Sequence, residues 1–470
     1  MIFLRNLTII LRDLTIKRFN KLYDEGKITS EKLVEFYLER ISSISLNAVL
    51  EINPDALFIA RAMDEERKNN KKRSNLHGVP VIIKGNIDTK DKMQTTGGAK
   101  ALLGNYVNND AFLVKKLREA GAVIIGKSNL TEFANFVSYE MPNGYSRLGG
   151  QTKNPYGNFD VGGSSSGSAV AVAADFALVS IGTETSGSIL SPSSSNSCVG
   201  LKPTVGTVSR NGIIPISYTQ DTAGPITRTV EDAFEVFRII YGFDLNDPAT
   251  YIVKNKKVPE KIKEISDYSG MIFGYSKQFF NWLTHEQILL FKDSLKKVEK
   301  LNGKVVEIKF ENLDKINNIN VLFYEFKHGI NNYLKDKDLQ VKTLTDVINF
   351  NFENKDAIPY GQSILLRSDT TDINEREYIE SLLNDRKYAK GGIDWLFEKY
   401  NLTALLFPAN YGAHITAKAK YPSITVPAGY TDTGPFGLTF SAREFEEEKL
   451  FSLAYLFEKN FSIRKIPLEK

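Results

Sequence analysis

Cysteine and histidine are both scarce in this sequence. Among its 470 residues there is one cysteine, Cys198, and the four histidines are His77, His285, His328 and His414. A single cysteine cannot form an internal disulfide or a multi-thiolate metal site, which fits a reducing, cytoplasmic compartment. The histidines lie far apart in the sequence and form no HExxH pattern, so nothing in their spacing indicates a zinc site.

A strong charge excess and long hydrophobic runs are also missing. Sixty Lys and Arg residues against 56 Asp and Glu residues give a net charge of +4, too little to indicate binding to nucleic acid or to a membrane surface. No apolar run reaches the roughly 18 residues of a membrane-spanning helix. The N-terminal MIFLRNLTIILRDLT is interrupted by Arg5 and Arg12 and has no cleavage site after it, so we interpret it as an extension or a packed first helix. A targeting role of the first 12 residues stays open.

The first third of the chain alternates helix and strand patterns. Residues 13–44, 54–73 and 110–121 have helical periodicity, and the short apolar runs at 79–84 and 122–127 are typical of buried strands. Such alternation predicts an α/β fold.

The middle of the chain differs in composition from the regions before and after it. It is rich in Lys, Asn and Glu, with helical periodicity and no glycine-rich loops. Strand-like runs return at 403–408, 423–429 and 437–442, before a closing helix at 446–461. We therefore predict a single domain over 1–470, with a core of about 70–233 plus 400–465 and a helix-rich insertion at about 234–400.

Two motif matches do not fit their surroundings well. Residues 121–128, GAVIIGKS, match the phosphate-loop pattern GxxxxGK[ST], but the central AVII is typical of a strand instead of a loop that wraps phosphate. Residues 163–167, GSSSG, match the nucleophile elbow of α/β-hydrolases with Ser165 at the centre and His414 as the best later histidine. A nucleophile elbow requires a hydrophobic strand directly before it, and no such strand precedes this match. The elbow with Ser165 as nucleophile is kept as a rival interpretation.

Two Gly- and Ser-rich turns are the strongest signal. GGSSSGS at 162–168 is the first serine turn, and GTETSGS at 182–188 is the second serine turn. The apolar residues 168–180 between them predict a buried helix, and ALVSIG at 177–182 resembles a strand that leads into the second serine turn. Glycines in such a turn let backbone N–H groups approach a ligand and form an oxyanion hole, beside which a serine is a natural nucleophile.

With histidine scarce, the base must be another residue. Lys84 ends the apolar run VPVIIK at 79–84. A lone lysine at a strand end usually points to solvent, but burial would lower its pKa and make the neutral amine a competent base.

These residues together resemble the amidase signature family. The resemblance covers about 200 residues, including LHGVPVIIKGNID (76–88), GGSSSGSAVAVAA, GTETSGSI and VGLKPTVGTVSRNGIIPISYTQDTAGP. It implies a large central mixed, twisted β-sheet covered by helices on both faces, and a Ser–cis-Ser–Lys triad. In this chain the family's nucleophile falls on Ser188, its relay serine, after a cis peptide bond, on Ser164, and its base on Lys84. The resemblance also implies an oxyanion hole that binds substrate through the backbone N–H groups of Thr185, Ser186, Gly187 and Ser188, and it implies neither a cofactor nor a metal.

The chain departs from the usual family pattern near the site. Gly85 stands where the family usually has Asp, Glu184 and Ser186 change the usual GTDTGGS, and Leu190 replaces a frequent Arg. GTETSGS and TQDTAGP are similar to the bacterial peptide-amidase branch. We therefore expect a small-molecule or short-peptide amide as substrate, no nucleic-acid or membrane partner, and a monomer or homodimer. The alternatives are a subunit of a tRNA-dependent amidotransferase and a binding protein that has kept only the fold.

Overall fold

The computed structural model describes residues 11–316 and 319–467. Most of the N-terminal segment interpreted above, residues 1–10, lies outside the described residues. The strands in the described part are β1 Val49–Ile52, β2 Pro80–Lys84, β3 Val123–Ser128, β4 Tyr145–Ser146, β5 Gly150–Gln151, β6 Val179–Glu184, β7 Val199–Lys202, β8 Thr222–Thr227, β9 Ile272–Tyr275, β10 Lys304–Glu307, β11 Ala404–Pro408, β12 Ser423–Thr431 and β13 Gly434–Ser441. The α-helices there are α1 Ile16–Asp24, α2 Ser30–Ser43, α3 Ala56–Lys68, α4 Phe112–Glu119, α5 Glu132–Asn135, α6 Ser166–Ala173, α7 Leu190–Ser195, α8 Val230–Ile240, α9 His285–Lys300, α10 Asn320–Leu334, α11 Leu344–Glu353, α12 Ser363–Asp369, α13 Glu375–Asp385, α14 Gly391–Tyr400, α15 Ala413–Lys418 and α16 Glu447–Phe461.

One large mixed sheet is the centre of the molecule. Its eleven strands in the described residues follow the order β1-β3-β2-β6-β8-β7-β12-β13-β11-β9-β10. Strands β3, β2 and β6 are parallel to one another, whereas β6, β8, β7, β12, β13 and β11 pair antiparallel. The predicted α/β class with a mixed sheet flanked by helices is confirmed.

The apolar runs of the sequence form the central strands. Strands β2, β3 and β6 are buried along their whole length, as expected for parallel strands covered on both faces. Gly121, which follows α4, has φ +86° and ends that helix as predicted. Residues 123–128 of the phosphate-loop match form β3, so they pair in the sheet and do not form a loop that could wrap phosphate.

The helix between the two serine turns is shorter than the sequence predicts. The apolar run at 168–180 predicted one helix, but α6 ends at Ala173. Asp175 has a left-handed φ of +57°, and the Arg40 side chain donates to the carbonyls of Ala174 and Asp175 at 3.1 and 3.2 Å. The chain reverses there, and β6 brings it back along the helix. An eight-residue helix spans only about 12 Å, so a short strand is enough for the return.

The middle of the chain contributes more than helices. Strands β9 and β10 extend the sheet beyond β11 with parallel pairing. Helices α10 to α12 share a hydrophobic cluster with residues 133–141, in which the rings of Phe136 and Phe326 lie 4.7 Å apart. The single-domain division stays a prediction. Among the described residues, no helix is both long and apolar enough to cross a bilayer.

Candidate active site

Two parallel strands end side by side and deliver the first site residues. In the register of β2 and β6, Ile83 lies opposite Ile181. Lys84 is the last residue of β2, and Thr183 comes near the end of β6. Because the carboxyl ends of parallel strands lie at the same edge of a sheet, the Lys84 side chain meets Thr183 there.

The first serine turn depends on glycine at two positions. Gly162 has φ +66°, and a Cβ on it would lie 2.7 Å from the Cα of Pro192. A Cβ on Gly163 would lie 2.6 Å from Oδ1 of Asn143. The peptide bond from Gly163 to Ser164 is cis. The first serine turn is therefore pressed against neighbouring backbone and side chains on both sides.

Lys84 is fully buried and surrounded by oxygen atoms. Its Nζ lies 2.9 Å from Oγ of Ser164, 2.8 Å from Oγ of Ser165 and 3.0 Å from Oγ1 of Thr183. Its exposed fraction is 0%. The usual solvent-exposed position of a strand-end lysine is therefore excluded. The structure brings Lys84 and Ser164 into direct contact, as the sequence resemblance implies.

The burial of Lys84 changes its acid–base behaviour. Desolvation lowers the pKa of Lys84 to about 7, against the raising influence of the carboxylates of Glu184 and Asp221. A large fraction of the side chain is therefore the neutral amine at neutral pH, the form that can accept a proton. Sequence reasoning found no carboxylate next to Lys84, because both neighbours come from other elements.

The unusual Gly85 has a steric explanation. A Cβ on this residue would lie 2.6 Å from Cδ1 of Leu50 and 3.1 Å from the carbonyl oxygen of Ser128. An aspartate at position 85, the usual family residue, would require this packing to open. Glycine at position 85 therefore fits the close packing of Leu50 and Ser128 behind the site.

The second serine turn presents free backbone donors. Gly187 has φ +91°, and the side chain of Asn410 packs against it. Within 11–316 and 319–467, no acceptor is found for the N–H groups of Ser186, Gly187 and Ser188. Ser186 is exposed, and Ser188 is 9% exposed. The second serine turn can therefore donate hydrogen bonds to an oxygen that approaches from solvent.

Glu184 fixes the second serine turn to the helix that follows it. Its Oε2 accepts hydrogen bonds from the N–H groups of Ile189 at 2.7 Å and Leu190 at 3.0 Å. Both N–H groups lie at the start of α7, where backbone donors have no partner within the helix and negative charge is favourable. The longer side chain of Glu, compared with the usual Asp, reaches these two donors and thus holds the end of the second serine turn.

The two serine turns touch each other. The N–H of Ser165 donates to the carbonyl of Ser188 at 3.0 Å. A Cβ on Gly182 would lie 2.8 Å from Oγ of Ser165, so glycine at 182 lets β6 approach the first serine turn. The backbone of Ser188 is in this way held beside Ser165, the neighbour of Ser164, in the turn whose hydroxyls contact Lys84.

Ser165 has a different environment from the one that the elbow interpretation requires. Its hydroxyl donates to the carbonyl of Thr183 at 3.0 Å and accepts from the N–H of Thr183 at 3.2 Å, and the residue is 0% exposed. His414 lies elsewhere, with its ring 6.4 Å from Phe279 and 6.1 Å from Trp282. The neighbours of the Ser165 hydroxyl are thus Lys84 and Thr183, and its proton already has an acceptor.

Sequence reasoning missed Asp221. Its Oδ1 accepts from Oγ1 of Thr185 at 2.5 Å, and its Oδ2 accepts from the N–H groups of Ile216 and Ser217 at 2.8 and 2.9 Å. Burial raises the pKa of Asp221 to about 6. The only available signal was its place in TQDTAGP, one of the stretches that resembled the family. No periodicity could show that it faces Thr185.

Known proteins give the same assignment over nearly the whole chain. The sequence profile of the family described as Amidase matches residues 32–416. A protein of Arabidopsis thaliana described as "Probable amidase" is 40% identical over 98% of this chain and 92% of its own length. A glutamyl-tRNA(Gln) amidotransferase subunit of Thermoanaerobacter pseudethanolicus is more distant, at 31% identity over 96% of each chain.

Solved structures agree in fold and in sequence. An amidase family protein from Bacillus anthracis superposes with a TM-score of 0.95 at 37% identity, covering 99% of this chain and 95% of its own. The native peptide amidase of Stenotrophomonas maltophilia superposes with a TM-score of 0.92 at 36% identity, covering 97% of this chain and 99% of its own. With these matches and the site described above, the chain belongs to the amidase family and is an amidase-family enzyme.

Proposed function

We propose that this protein hydrolyses a carboxamide through a covalent acyl intermediate on Ser188, with Ser164 as proton relay and Lys84 as base. The observation that supports this most directly is the 2.9 Å contact between Nζ of Lys84 and Oγ of Ser164 in a fully buried position. A lysine with a pKa of about 7 can exchange protons near neutral pH. Lysine here takes the part that histidine has in many other serine hydrolases.

The acylation half-reaction begins with two proton transfers. Neutral Lys84 accepts the hydroxyl proton of Ser164, which accepts that of Ser188. The Ser188 oxygen forms a bond to the amide carbon, and the carbonyl oxygen becomes an oxyanion. The free N–H groups of the second serine turn stabilise it, and the loss of one such donor typically raises the barrier by about 3 kcal/mol. The proton then returns through Ser164 to the amide nitrogen, the C–N bond breaks, and ammonia or an amine leaves.

The deacylation half-reaction repeats the same steps with water. Water gives its proton through Ser164 to Lys84 while its oxygen attacks the acyl carbon. The bond from Ser188 to that carbon breaks, Ser188 recovers a proton, and the carboxylic acid is released. The catalytic groups proposed for both half-reactions are side chains and backbone N–H groups of this chain.

For the substrate we propose C-terminal peptide amides or similar unbranched carboxamides. The support is the likeness of GTETSGS to the peptide-amidase branch and the superposition on the Stenotrophomonas maltophilia peptide amidase. We place the enzyme in the cytoplasm as part of the same proposal, because the single cysteine, Cys198, is free and buried.

Ammonia release from a dipeptide amide tests the proposal directly. The purified wild-type protein should release ammonia from the amide, and Ser188→Ala should not. A panel with an aliphatic amide, an aryl amide and an acylated amine then defines the leaving group and the acyl group. Turnover of only esters or long-chain acyl amines would contradict the substrate, and full activity of Ser188→Ala would contradict the mechanism.

The amidotransferase alternative has less support. The matched amidotransferase subunit is less similar than the amidases. Leu190, which stands where those subunits often have Arg, is buried at the start of α7. Such a subunit would need partner proteins, so purification of the tagged protein from its own cells, followed by identification of stoichiometric partners, separates the two functions.

A further inference from the structure

A buried glutamate of the middle region lies next to the loop that holds the second serine turn. Glu325, on α10, is only 1% exposed. Its Oε2 accepts hydrogen bonds from the hydroxyl of Ser217, from the N–H of Thr219 at 3.2 Å and from the hydroxyl of Thr219 at 3.1 Å. Its Oε1 accepts from the hydroxyl of Tyr378, on α13, at 2.6 Å. A buried carboxyl group with this many donors is well compensated for its desolvation.

The loop bonded by Glu325 in turn holds Thr185. Ser217 donates its hydroxyl to Glu325 and its N–H to Asp221, at 2.9 Å in the second case. Asp221 accepts from the hydroxyl of Thr185 at 2.5 Å, and the side chain of Gln220 donates to the carbonyl of Thr185 at 3.4 Å. A continuous path of hydrogen bonds therefore runs from α10 to the second serine turn.

Close packing of the helix on the loop accompanies these hydrogen bonds. Gly329 lies one turn after Glu325 on α10, and a Cβ on it would lie 3.0 Å from Cγ of Pro215 and 3.6 Å from the hydroxyl of Tyr218. The helix thus approaches the loop as near as glycine allows. The loop has little room to move independently of α10.

We propose that Glu325 is a positioning residue for the second serine turn, acting through the 216–221 loop, Asp221 and Thr185. This inference rests on the proposed function, since the turn it positions is the one that would receive the oxyanion. It assigns to the middle region a part in catalysis that does not involve contact with substrate. Donors to a developing oxyanion must be held within tenths of an ångström, so a small displacement of the loop is costly.

Two substitutions at position 325 separate positioning from bulk stability. Glu325→Ala removes every acceptor and should lower kcat by about 10- to 100-fold, with KM changed much less. Glu325→Gln keeps the shape and one acceptor oxygen, which can accept from Ser217 and Thr219 at the position of Oε2 while the amide nitrogen faces Tyr378, and it should restore kcat to within a few-fold of wild type. Tyr378→Phe, which removes one donor, should give a small change in the same direction. Wild-type kcat per folded molecule in Glu325→Ala and in Tyr378→Phe would overturn the proposal.

A double-mutant cycle tests the path itself. Thr185→Val removes the hydroxyl that bonds Asp221, so Thr185→Val with Glu325→Ala should lose little more kcat than the worse single variant. Losses that multiply would mean that Glu325 does not act through Thr185. Glu447→Ala is the matched control, because Glu447 is also a buried glutamate, 5% exposed, that accepts from a backbone N–H, that of Thr204, at 2.8 Å. This control should show no coupling with Thr185→Val.

Hydrogen exchange gives a reading that does not depend on turnover. In Glu325→Ala, the hydrogen-bonded amides of 216–221, and those of Ile189 and Leu190 that bond to Glu184 of the second serine turn, should exchange faster than in wild type. Glu447→Ala should leave both sets unchanged. Unchanged exchange at Ile189 and Leu190 in Glu325→Ala would overturn the inference even if the enzyme proves active. If wild type releases no ammonia from any amide but the exchange result is as expected, the proposed function fails and the positioning by Glu325 stands.

Discussion

The two serine turns have similar sequences and opposite environments. The first serine turn is enclosed: Ser164 and Ser165 are both 0% exposed. The second serine turn is open on one side, with Ser186 exposed and backbone donors that have no acceptor among the described residues. A serine-rich turn therefore does not by itself indicate which residue meets the substrate. Access to solvent and free N–H groups support the proposal that Ser188 is the nucleophile and that Ser164 only transfers protons.

The same difference separates two adjacent serines within the first serine turn. Ser164 and Ser165 lie at nearly equal distances from Nζ of Lys84, 2.9 and 2.8 Å. The hydroxyl of Ser165 is occupied on both sides by the backbone of Thr183. It holds Lys84 and β6 in position, and this supports the proposal that Ser164 is the serine that passes the proton.

The largest effect is expected where both turns meet the base. Ser188→Ala, Ser164→Ala and Lys84→Ala should each reduce kcat by about 10³-fold or more, because each interrupts one proton path. The triple variant should be little worse than Ser188→Ala alone. Steady-state ammonia release, with circular dichroism to confirm folding, checks this, and losses that add up over the three variants would show that the residues act separately.

Lys84→Arg tests whether the base must lose its proton. Arginine keeps a cation but does not deprotonate in this pH range, so this variant should be as inactive as Lys84→Ala. Activity is measured across roughly pH 6 to 9 for both variants, with about equal residual rates expected. A large retained fraction of activity in Lys84→Arg would make position 84 an electrostatic element and require another base.

Ser165→Ala should have a smaller effect on rate and a clear effect on stability. It removes a buried hydroxyl whose loss leaves the N–H and carbonyl of Thr183 with fewer partners, which costs about 1–3 kcal/mol of unfolding free energy. We expect kcat to fall by roughly tenfold, far less than in Ser164→Ala. Urea unfolding and kcat are measured on the same preparations. A loss of activity equal to that of Ser188→Ala without loss of stability would instead favour the elbow interpretation.

Glu184→Gln should move the pH profile with little loss of rate at high pH. In wild type, kcat/KM should rise with pH through about 7 and then level off, because protonated Lys84 is inactive. The carboxylate of Glu184 raises the pKa of Lys84. Removal of this negative charge should therefore shift the rise of kcat/KM to lower pH, by less than about one unit. Glutamine keeps an acceptor for the N–H groups of Ile189 and Leu190. A shift of this rise to higher pH would contradict the conclusion that Glu184 raises the pKa of Lys84.

The smallest effect is expected at His414. Its ring packs with Phe279 and Trp282, and the proposed mechanism assigns the role of base to Lys84. His414→Gln should therefore change kcat only within a few-fold, as measured by ammonia release at several pH values. A loss comparable to that in Lys84→Ala would contradict the lysine mechanism.

Prediction from sequence succeeded best where the pattern is local. The apolar runs at 79–84 and 122–127 became β2 and β3, and the α/β class with a mixed sheet is confirmed. The helix predicted at 168–180 was wrong in length, because composition cannot show where Asp175 turns left-handed and Arg40 caps the last carbonyls. Strands β9 and β10 were missed because four-residue strands leave little alternation in the sequence.

The residue types and spacings of the two serine turns, and the lysine at the end of VPVIIK, can be identified from the chain alone. How these residues act together depends on their arrangement in space. The register of β2 and β6 puts Lys84 beside Thr183, burial lowers its pKa to about 7, and Glu184 and Asp221 approach it from other elements. Lys84 and Thr183, for example, are 99 positions apart in the sequence. Electrostatics and burial depend on distance in space, which no local pattern records.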